Sequence, residues 1–131
     1  MPRVSTFSIP ADDPERAVSF YREVFGWKFE VGWEYDTPNG RERFWKIATG
    51  AAGEPGIDGG LTRREFPGQP IGVGIEVVSV DTTLARVTGQ GGTIIVPKVA
   101  LPTVGYFGVC KDSEGNTFVV YESDESVVAG S

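Results

Sequence analysis

The chain of 131 residues contains no histidine, and this absence sets the first limit on its chemistry. Ser–His–Asp and Cys–His nucleophilic catalysis, general-base catalysis by histidine and metal binding through imidazole all require that side chain. The single cysteine, Cys110, excludes an internal disulfide and a cysteine-rich zinc site. Since no histidine can activate its thiol, we expect Cys110 to be a buried structural residue. Carboxylates, hydroxyls and aromatic rings remain for chemistry.

Charge and hydropathy exclude further classes of function. The 12 Lys and Arg residues against 18 Asp and Glu residues give a net charge of −6, with no basic run that could neutralise phosphates, so nucleic-acid binding is not expected. The acidic balance favours cationic small molecules. The N-terminal sequence is not a signal peptide, and no apolar run approaches the roughly 20 residues that cross a bilayer. We expect a soluble cytoplasmic protein without membrane partners.

The elements that must position these side chains follow one order twice. In the first half, hydrophobic periodicity, helix caps and the turn signal Asn39-Gly40 predict a strand, a helix and three strands: Val4–Ile9, Pro14 to Gly26, Trp27–Trp33, Arg43–Ala48 and Ile57–Leu61. In the second half the same signals predict the strand Gly72–Val80, a short helix capped by Asp81 that continues to about Thr88, and the strands Thr93–Val96, Tyr106–Lys111 and Asn116–Tyr121. When the two halves are aligned by this order of elements, Phe7 corresponds to Ile75 and Asp13 corresponds to Asp81.

This repetition predicts a single α+β domain made of two βαβββ modules, neither of which could bury its sheet alone. The first module spans residues 3–61 and the second spans residues 71–123. Residues 62–70, with two prolines and a glycine, are interpreted as the linker. Residues 124–131 are small and polar, so a disordered tail is expected there.

Both modules carry motifs of fairly specific spacing. In the first they are Ala11–Ala17, Phe20-Tyr21 and Val24–Trp27, and in the second they are Val80-Asp81, Gly91-Gly92-Thr93, Pro97 and Lys111–Asn116. Through these motifs, from about residue 3 to residue 123, the chain resembles the glyoxalase I / bleomycin-resistance / extradiol dioxygenase superfamily (the vicinal oxygen chelate, or VOC, fold). Within it, the chain looks most like the subgroup of predicted enzymes related to lactoylglutathione lyase.

The resemblance implies a cupped, eight-stranded mixed sheet with its helices outside and a ligand on its inner face, usually in a homodimer. In metal-dependent members, four side chains of His or Glu type hold a divalent cation inside the cup. The matching positions here are Thr6, Ile75, Val119 and an uncertain fourth position near Asp58. Valine and isoleucine cannot bind a metal, so we expect neither a metal nor another cofactor. Glu76 is expected to face away from the Ile75 side chain.

Strand alternation in this cup selects the candidate ligand-binding residues. Hydroxyls and aromatic rings that face or border the cup form the set: Thr6, Ser8, Trp33, Trp45, Tyr106 and Tyr121. An apolar pocket with a few hydroxyls is the usual form of a small-molecule site. The alternative is that these aromatic rings only fill the cup or a dimer seam.

Three functions therefore stay open. The leading hypothesis is a metal-free protein that binds a small aromatic or cationic molecule in the cup or at a homodimer groove. The second is a lyase, isomerase or epimerase-type enzyme related to lactoylglutathione lyase, with Glu76 or Asp58 as base and Tyr106 or Tyr121 as acid. The third is an interaction module whose cup is filled.

Overall fold

The computed structural model describes residues 1–37 and 40–128. Its elements, in chain order, are β1 (Arg3–Ala11), α1 (Pro14–Phe25), β2 (Lys28–Thr37), β3 (Gly40–Ala48), β4 (Gly59–Arg63), β5 (Gly72–Glu76), α2 (Val80–Gly89), β6 (Thr93–Leu101), β7 (Gly105–Lys111) and β8 (Thr117–Ser123). The predicted α+β class and the two βαβββ modules are confirmed. Asn39 of the predicted turn lies outside the described residues, but β2 and β3 do pair antiparallel.

The chain divides into two compact units. The N-terminal unit is Thr6–Ile71, and the C-terminal unit combines Met1–Ser5 with Gly72–Ser131. The strand order within the N-terminal unit is β2-β3-β4-β1, and the order within the C-terminal unit is β6-β7-β8-β5. In each unit one pair is parallel, β1 with β4 and β5 with β8, and the other pairs are antiparallel. The internal repeat read from the sequence is therefore present in the strand order itself.

Helix α1 begins and ends where its capping residues require. The Asp13 carboxylate accepts a hydrogen bond from the Arg16 N–H at 3.2 Å, and Pro14 occupies the first turn, where its missing N–H costs nothing. Gly26 ends the helix with φ of 71°, a left-handed conformation that glycine adopts without strain. These caps agree with the sequence prediction.

Helix α2 begins earlier than the sequence suggested. Its N-cap is Ser79, whose hydroxyl accepts a hydrogen bond from the Thr82 N–H at 3.1 Å, and not Asp81, which lies in the first turn. The preceding strand accordingly ends at Glu76 and does not continue to Val80. Serine and aspartate are comparable N-caps, so residue type alone could not separate the two positions.

Each helix covers one face of the sheet in its own unit. In the N-terminal unit, Val18 of α1 packs on Ile9, Phe29, Ile47 and Leu61, one residue from each strand. In the C-terminal unit, the buried cluster comprises Val77, Val80, Leu84, Cys110 and Val120. Because side chains alternate along a strand, the neighbours of these core residues point to the opposite side. We call this side the helix-free face of the unit.

A β-bulge in β2 decides which aromatic residues reach the helix-free face of the N-terminal unit. Val31 pairs with Trp45, whereas Trp33 pairs with Phe44, so Gly32 is an extra residue in the ladder. Past the bulge the alternation is inverted. Trp33 and Tyr35 therefore point away from α1. Without the bulge, their even spacing from Phe29 would have placed them on the same face as Phe29, in the core.

The end of the described chain differs from the disordered tail predicted for residues 124–131. Val127 is buried, and its carbonyl accepts a hydrogen bond from the Thr103 N–H at 2.9 Å. The Asp124 N–H donates in turn to the carbonyl of Val104 at 2.9 Å. One apolar side chain and two backbone hydrogen bonds thus hold residues 124–128, and residues 129–131 lie outside the described part.

Within the described ranges, no helix is long and apolar enough to cross a membrane.

Replacing Gly60 with alanine tests the packing of the helix-free face. A Cβ atom at Gly60 would lie 2.2 Å from the Phe44 ring, so that ring has to move. We expect Gly60→Ala to destabilise the protein by about 1–3 kcal/mol, as overpacking commonly does, in urea unfolding followed by tryptophan fluorescence. Gly89→Ala is the control, because nothing lies within 4 Å of its Cβ and alanine suits a helix. Equal stability of the two variants would contradict this packing.

Candidate functional site

The helix-free face of the N-terminal unit carries a stacked aromatic pair. The rings of Trp33 and Phe44 lie 4.4 Å apart between centroids with an interplanar angle of 5°. Gly60 leaves the space that the Phe44 ring occupies. The indole Nε1 of Trp33 is buried and has no hydrogen-bond partner among the described residues. This pair is a flat apolar surface with one buried polar group that has no partner among the described residues.

Tyr35 continues this face along β2, next to its cross-strand partner Glu42. Its side chain is 2% exposed. Burial raises the pKa of the phenol, and the charges of Glu65 and Glu42 raise it further, while a hydrogen bond with Thr62 acts in the opposite direction. The Tyr35 phenol therefore stays protonated at neutral pH.

Glu65 brings a second carboxylate to the same place. Burial raises the pKa of Glu65, and the charge of Glu42 adds to that shift. Glu42 is paired with Arg63 at 3.1 Å. The Glu65 N–H donates to Oε1 of buried Gln69 at 2.7 Å, which positions the backbone of this segment. Of these two carboxylates only Glu42 has a guanidinium partner among the described ion pairs, so a cationic group would be stabilised beside Glu65.

The sequence did not identify Tyr35, Glu42 or Glu65 as site residues. Glu65 falls in the segment interpreted as a linker, and its approach to Glu42 spans 23 positions of the chain. Tyr35 reaches the helix-free face through the bulge at Gly32. A Gly in the interior of a strand is the signal that could have indicated the bulge.

The predicted residues of the N-terminal unit are brought together only in part. Ser8 pairs with Gly60, so it shares the helix-free face with Trp33. The Thr6 hydroxyl donates to the carbonyl of Asp58 at 2.8 Å. Trp45 pairs with Leu61 and packs against the core under α1, so it lies on the helix-covered face. The structure does not place Trp45 with Trp33.

Asp58, one of the two candidate bases, has a structural task in the loop before β4. Its Oδ1 accepts hydrogen bonds from the Thr49 N–H at 2.9 Å and from the Thr49 hydroxyl at 3.3 Å. These bonds favour a role in holding the loop rather than in proton transfer.

In the C-terminal unit, the expected directions of Ile75 and Glu76 have to be corrected. Ile75 pairs with Val120 and packs against the core under α2, so it lies on the helix-covered face. Glu76 pairs with Tyr121, two residues beyond Val119 on β8. Glu76, Val119 and Tyr121 therefore share the helix-free face. The assignment of Ile75 to a ligand position beside Val119 is wrong in register by one residue.

Glu76 and Tyr121 are held by neighbouring hydroxyls. The Ser123 hydroxyl donates to Oε2 of Glu76 at 3.1 Å. A hydrogen bond joins the Tyr121 hydroxyl to the hydroxyl of Ser5. The backbones of paired strands lie about 4.8 Å apart, so the carboxylate and the phenol start from adjacent positions. This arrangement can supply one proton acceptor and one proton donor to a bound molecule.

Tyr106, the other predicted acid, lies elsewhere. Its ring packs against the core under α2, and the ammonium of Lys98 lies 4.6 Å from the ring centroid. Lys98 is also paired with Asp81 of α2 at 3.0 Å. Tyr106 therefore belongs to the helix-covered side and is not brought together with Tyr121.

Cys110 is a buried structural residue, as the sequence predicted. Burial raises the pKa of its thiol to about 11. The thiol is therefore protonated at neutral pH and is not an activated nucleophile.

The residues at the metal positions implied by the resemblance do not fit a metal ion. Val119 has no donor atom, Ile75 points into the core, and the Thr6 hydroxyl is engaged by the Asp58 carbonyl. Across residues 1–37 and 40–128, no group of three or more His, Cys, Asp or Glu side chains is arranged to hold a metal.

Comparison with known proteins identifies the family. The family model described as Glyoxalase/Bleomycin resistance protein/Dioxygenase superfamily matches residues 3–120. A glyoxylase-like domain-containing protein of Didymella fabae is 34% identical over 122 residues, which cover 90% of this chain and 91% of the relative. A methylmalonyl-CoA epimerase in complex with methylmalonyl-CoA and NH4+ has a TM-score of 0.59 and 18% identity, over 96% of this chain and 99% of its own. The methylmalonyl-CoA epimerase of Mycobacterium tuberculosis has a TM-score of 0.60 and 15% identity, over 92% and 87% respectively. The chain belongs to the Glyoxalase/Bleomycin resistance protein/Dioxygenase superfamily.

Proposed function

We propose that this chain binds a small organic molecule on the helix-free face of its N-terminal unit, without a metal. The observation that carries the proposal is the Trp33–Phe44 stack, whose indole N–H is buried and has no partner among the described residues. A buried donor without a partner costs free energy, which a ligand acceptor would recover. Apolar walls with a few well-placed polar groups are the usual form of a small-molecule site.

The charges around the stack favour a planar molecule with a cationic group. Glu65 and Glu42 stand beside Tyr35, and among the described ion pairs Arg63 is paired with Glu42. The whole chain carries a net charge of −6, which disfavours an anionic ligand. The solved epimerase complex holds methylmalonyl-CoA, an anionic thioester. For this chain we therefore place cationic aromatic molecules ahead of coenzyme A esters.

Removing the indole tests the binding proposal. A thermal-shift screen with planar aromatic amines, such as acridine dyes, should yield a ligand that stabilises the protein by mass action. We expect Trp33→Ala to weaken that ligand by about tenfold or more in titration calorimetry, because it loses the stacking surface. Tyr106→Phe is the matched control and should bind like wild type, since Tyr106 faces the core under α2. Equal loss in both variants would contradict the proposed face.

The raised pKa of Glu65 predicts how binding responds to pH. A cationic ligand needs the ionised carboxylate, so its affinity should increase as the pH rises through the elevated pKa of Glu65. Glu65→Gln should bind more weakly and lose this response. In the free protein, the free energy of unfolding should respond to pH in the opposite direction to the ligand affinity. The stability that Glu65 contributes is full below its ordinary pKa and is lost as the pH rises through the elevated one.

This opposite response gives an internal check. Urea unfolding between about pH 4 and about pH 7 should show a smaller decline in stability for Glu65→Gln than for wild type. Glu125→Gln, at an exposed position near the C-terminus, should change neither binding nor the pH profile. A wild-type affinity that is flat over this range would exclude Glu65 from the site.

A second function is favoured by one specific observation, the pairing of Glu76 with Tyr121 on the helix-free face of the C-terminal unit. In an epimerase-type reaction, the Glu76 carboxylate would take a proton from the carbon next to a carbonyl group. The electron pair of the broken C–H bond would move to the carbonyl oxygen, which accepts a hydrogen bond from the Tyr121 hydroxyl. Protonation of the planar enolate on its opposite face would invert the carbon, whereas return of the proton from Glu76 to the same face would give isotope exchange only; neither changes the composition.

Isotope exchange tests this second function directly. Incubation with methylmalonyl-CoA in D2O should introduce deuterium at the carbon between the carbonyl groups, at a rate unchanged by a chelator. Glu76→Gln and Tyr121→Phe should each lower the exchange rate by about 100-fold or more, whereas Glu125→Gln should not. If wild type gives no exchange with methylmalonyl-CoA or with simple α-hydroxyketones, the acid–base function is wrong, and the binding function is unaffected.

A further inference from the structure

Thr103 adopts a backbone conformation that its own side chain disfavours. Its φ is 63°, and among residues 1–37 and 40–128 it is the one residue other than glycine with a positive φ. In this left-handed region the Cβ atom lies too close to the following carbonyl oxygen, and a β-branched residue is rare there. Such a strained conformation persists only where the surrounding structure holds it in place.

The structure that holds Thr103 is the strap, which we define as residues 124–128. The strap follows β8 and folds back on the turn between β6 and β7. The Thr103 N–H donates to the carbonyl of Val127 at 2.9 Å, and the Val127 side chain is buried. The Asp124 N–H donates to the carbonyl of Val104, also at 2.9 Å. The strap is therefore docked on the strained turn by two backbone hydrogen bonds and one apolar side chain.

Gly105, in the same turn, shows how closely the two segments fit. Its φ is 147°, and a Cβ atom at this position would overlap the carbonyl of Glu122 and lie 2.9 Å from the Asp124 nitrogen. Only glycine therefore fits between the turn and the chain that leads into the strap. Because Gly105 also pairs with Ser123 across β7 and β8, docking of the strap fixes the last residues of β8.

The last two residues of β8 connect the strap to both faces of the sheet. Glu122 reaches the helix-covered side, where its Oε1 accepts a hydrogen bond from the Val80 N–H at 2.9 Å at the start of α2. Ser123 reaches the helix-free face, where its hydroxyl donates to Oε2 of Glu76 at 3.1 Å. A displacement of these two residues therefore changes the contact of the Glu76 carboxylate.

We propose that the strap is a releasable clamp that positions the Glu76 carboxylate through Ser123. In the docked state Thr103 is strained and the Ser123 hydroxyl donates to Glu76. In the released state Thr103 returns to a negative φ, and the Ser123 hydroxyl withdraws from the carboxylate. The strain makes the docked state less stable than the same contacts would be with glycine at position 103, so it lowers the free energy needed for release. The consequence for catalysis rests on the proposed acid–base function, whereas the docking of the strap does not.

Amide hydrogen exchange tests whether the strained turn and the strap are coupled. Thr103→Gly keeps the N–H donor and removes the strain, so we expect the Asp124 N–H to exchange about 3- to 10-fold more slowly than in wild type. Thr103→Ala is the matched control, because it also removes the hydroxyl but leaves a Cβ atom in the left-handed region, and it should change this rate by less than about twofold. A glycine that only loosened the turn would speed the exchange. Faster or unchanged exchange of the Asp124 N–H in Thr103→Gly would overturn the proposal.

Release of the strap tests its link to Glu76. Val127→Asp places a charge at a buried position and should release the strap, whereas Val128→Asp places it at a side chain that is 64% exposed and should not. The readout is the NMR chemical shift of the Glu76 carboxyl carbon, which reports its hydrogen bond and requires no turnover. We expect Val127→Asp to move this signal in the same direction as Ser123→Ala, and Val128→Asp to leave it as in wild type. A signal that Ser123→Ala does not move, or that stays unchanged in Val127→Asp although the Asp124 N–H exchanges faster, would overturn the clamp.

The effect on catalysis is a separate measurement. With the acid–base function in place, Ser123→Ala should lower kcat for deuterium exchange by about 3- to 10-fold at an unchanged KM, because the hydroxyl contacts Glu76 and not the substrate. Ser123→Thr keeps the hydroxyl and should recover the wild-type kcat. A wild-type kcat in Ser123→Ala would contradict the positioning of Glu76. If wild type gives no isotope exchange, the acid–base function fails, while the Glu76 carboxyl signal and the exchange of the Asp124 N–H still decide the clamp.

Discussion

The burial of one helix against one face of a four-stranded sheet is the constraint on which the rest of this molecule depends. Val18 can bury itself on Ile9, Phe29, Ile47 and Leu61 only if all four strands present an apolar side chain to α1. Each of these contacts removes a side chain from water, which stabilises the fold. Strand geometry then leaves no freedom for the neighbours of these residues, which must point to the helix-free face.

The fold was predictable because this constraint appears in the sequence as a simple alternation. Phe7 and Ile9 alternate with Thr6 and Ser8, and Asp13 and Gly26 have the residue types that the two ends of a helix favour. The second helix was less certain at its start, because Ser79 and Asp81 are both good N-caps. Local preferences could identify the helix but could not choose between two acceptable first turns.

The face of each aromatic residue was less predictable, for two physical reasons. Trp45 and Tyr106 are large side chains that can complete a core or line a site, and only the packing of the helix decides between these roles. The face on which Trp33 lies is set by an extra residue in the strand, Gly32. A prediction from strict two-residue alternation does not include such a residue and therefore assigns Trp33 to the wrong face. Glu65 approaches Glu42 through the tertiary fold, so no local pattern could join them.

The internal repeat, however, contained enough information to place Glu76. The offset of 68 residues that matches Phe7 with Ile75 also matches Ser8 with Glu76. The structure agrees with that register, since Phe7 and Ile75 pack against their cores while Ser8 and Glu76 lie on the helix-free faces. Equating Thr6 with Ile75 as metal positions broke the same register by one residue. A strand tolerates no such shift, because moving by one residue exchanges its two faces.

The same register explains how two equivalent faces of this chain can carry different polar side chains. The repeat requires an apolar residue at the core positions, but it imposes nothing on the alternate ones. At equivalent positions the N-terminal unit has the small hydroxyl of Ser8, whereas the C-terminal unit has the carboxylate of Glu76 next to Tyr121. The N-terminal unit instead obtains its carboxylates from Glu42 and Glu65, and burial raises the pKa of Glu65 above its ordinary value. Burial, rather than residue type, thus makes the Glu65 carboxyl different from an exposed glutamate.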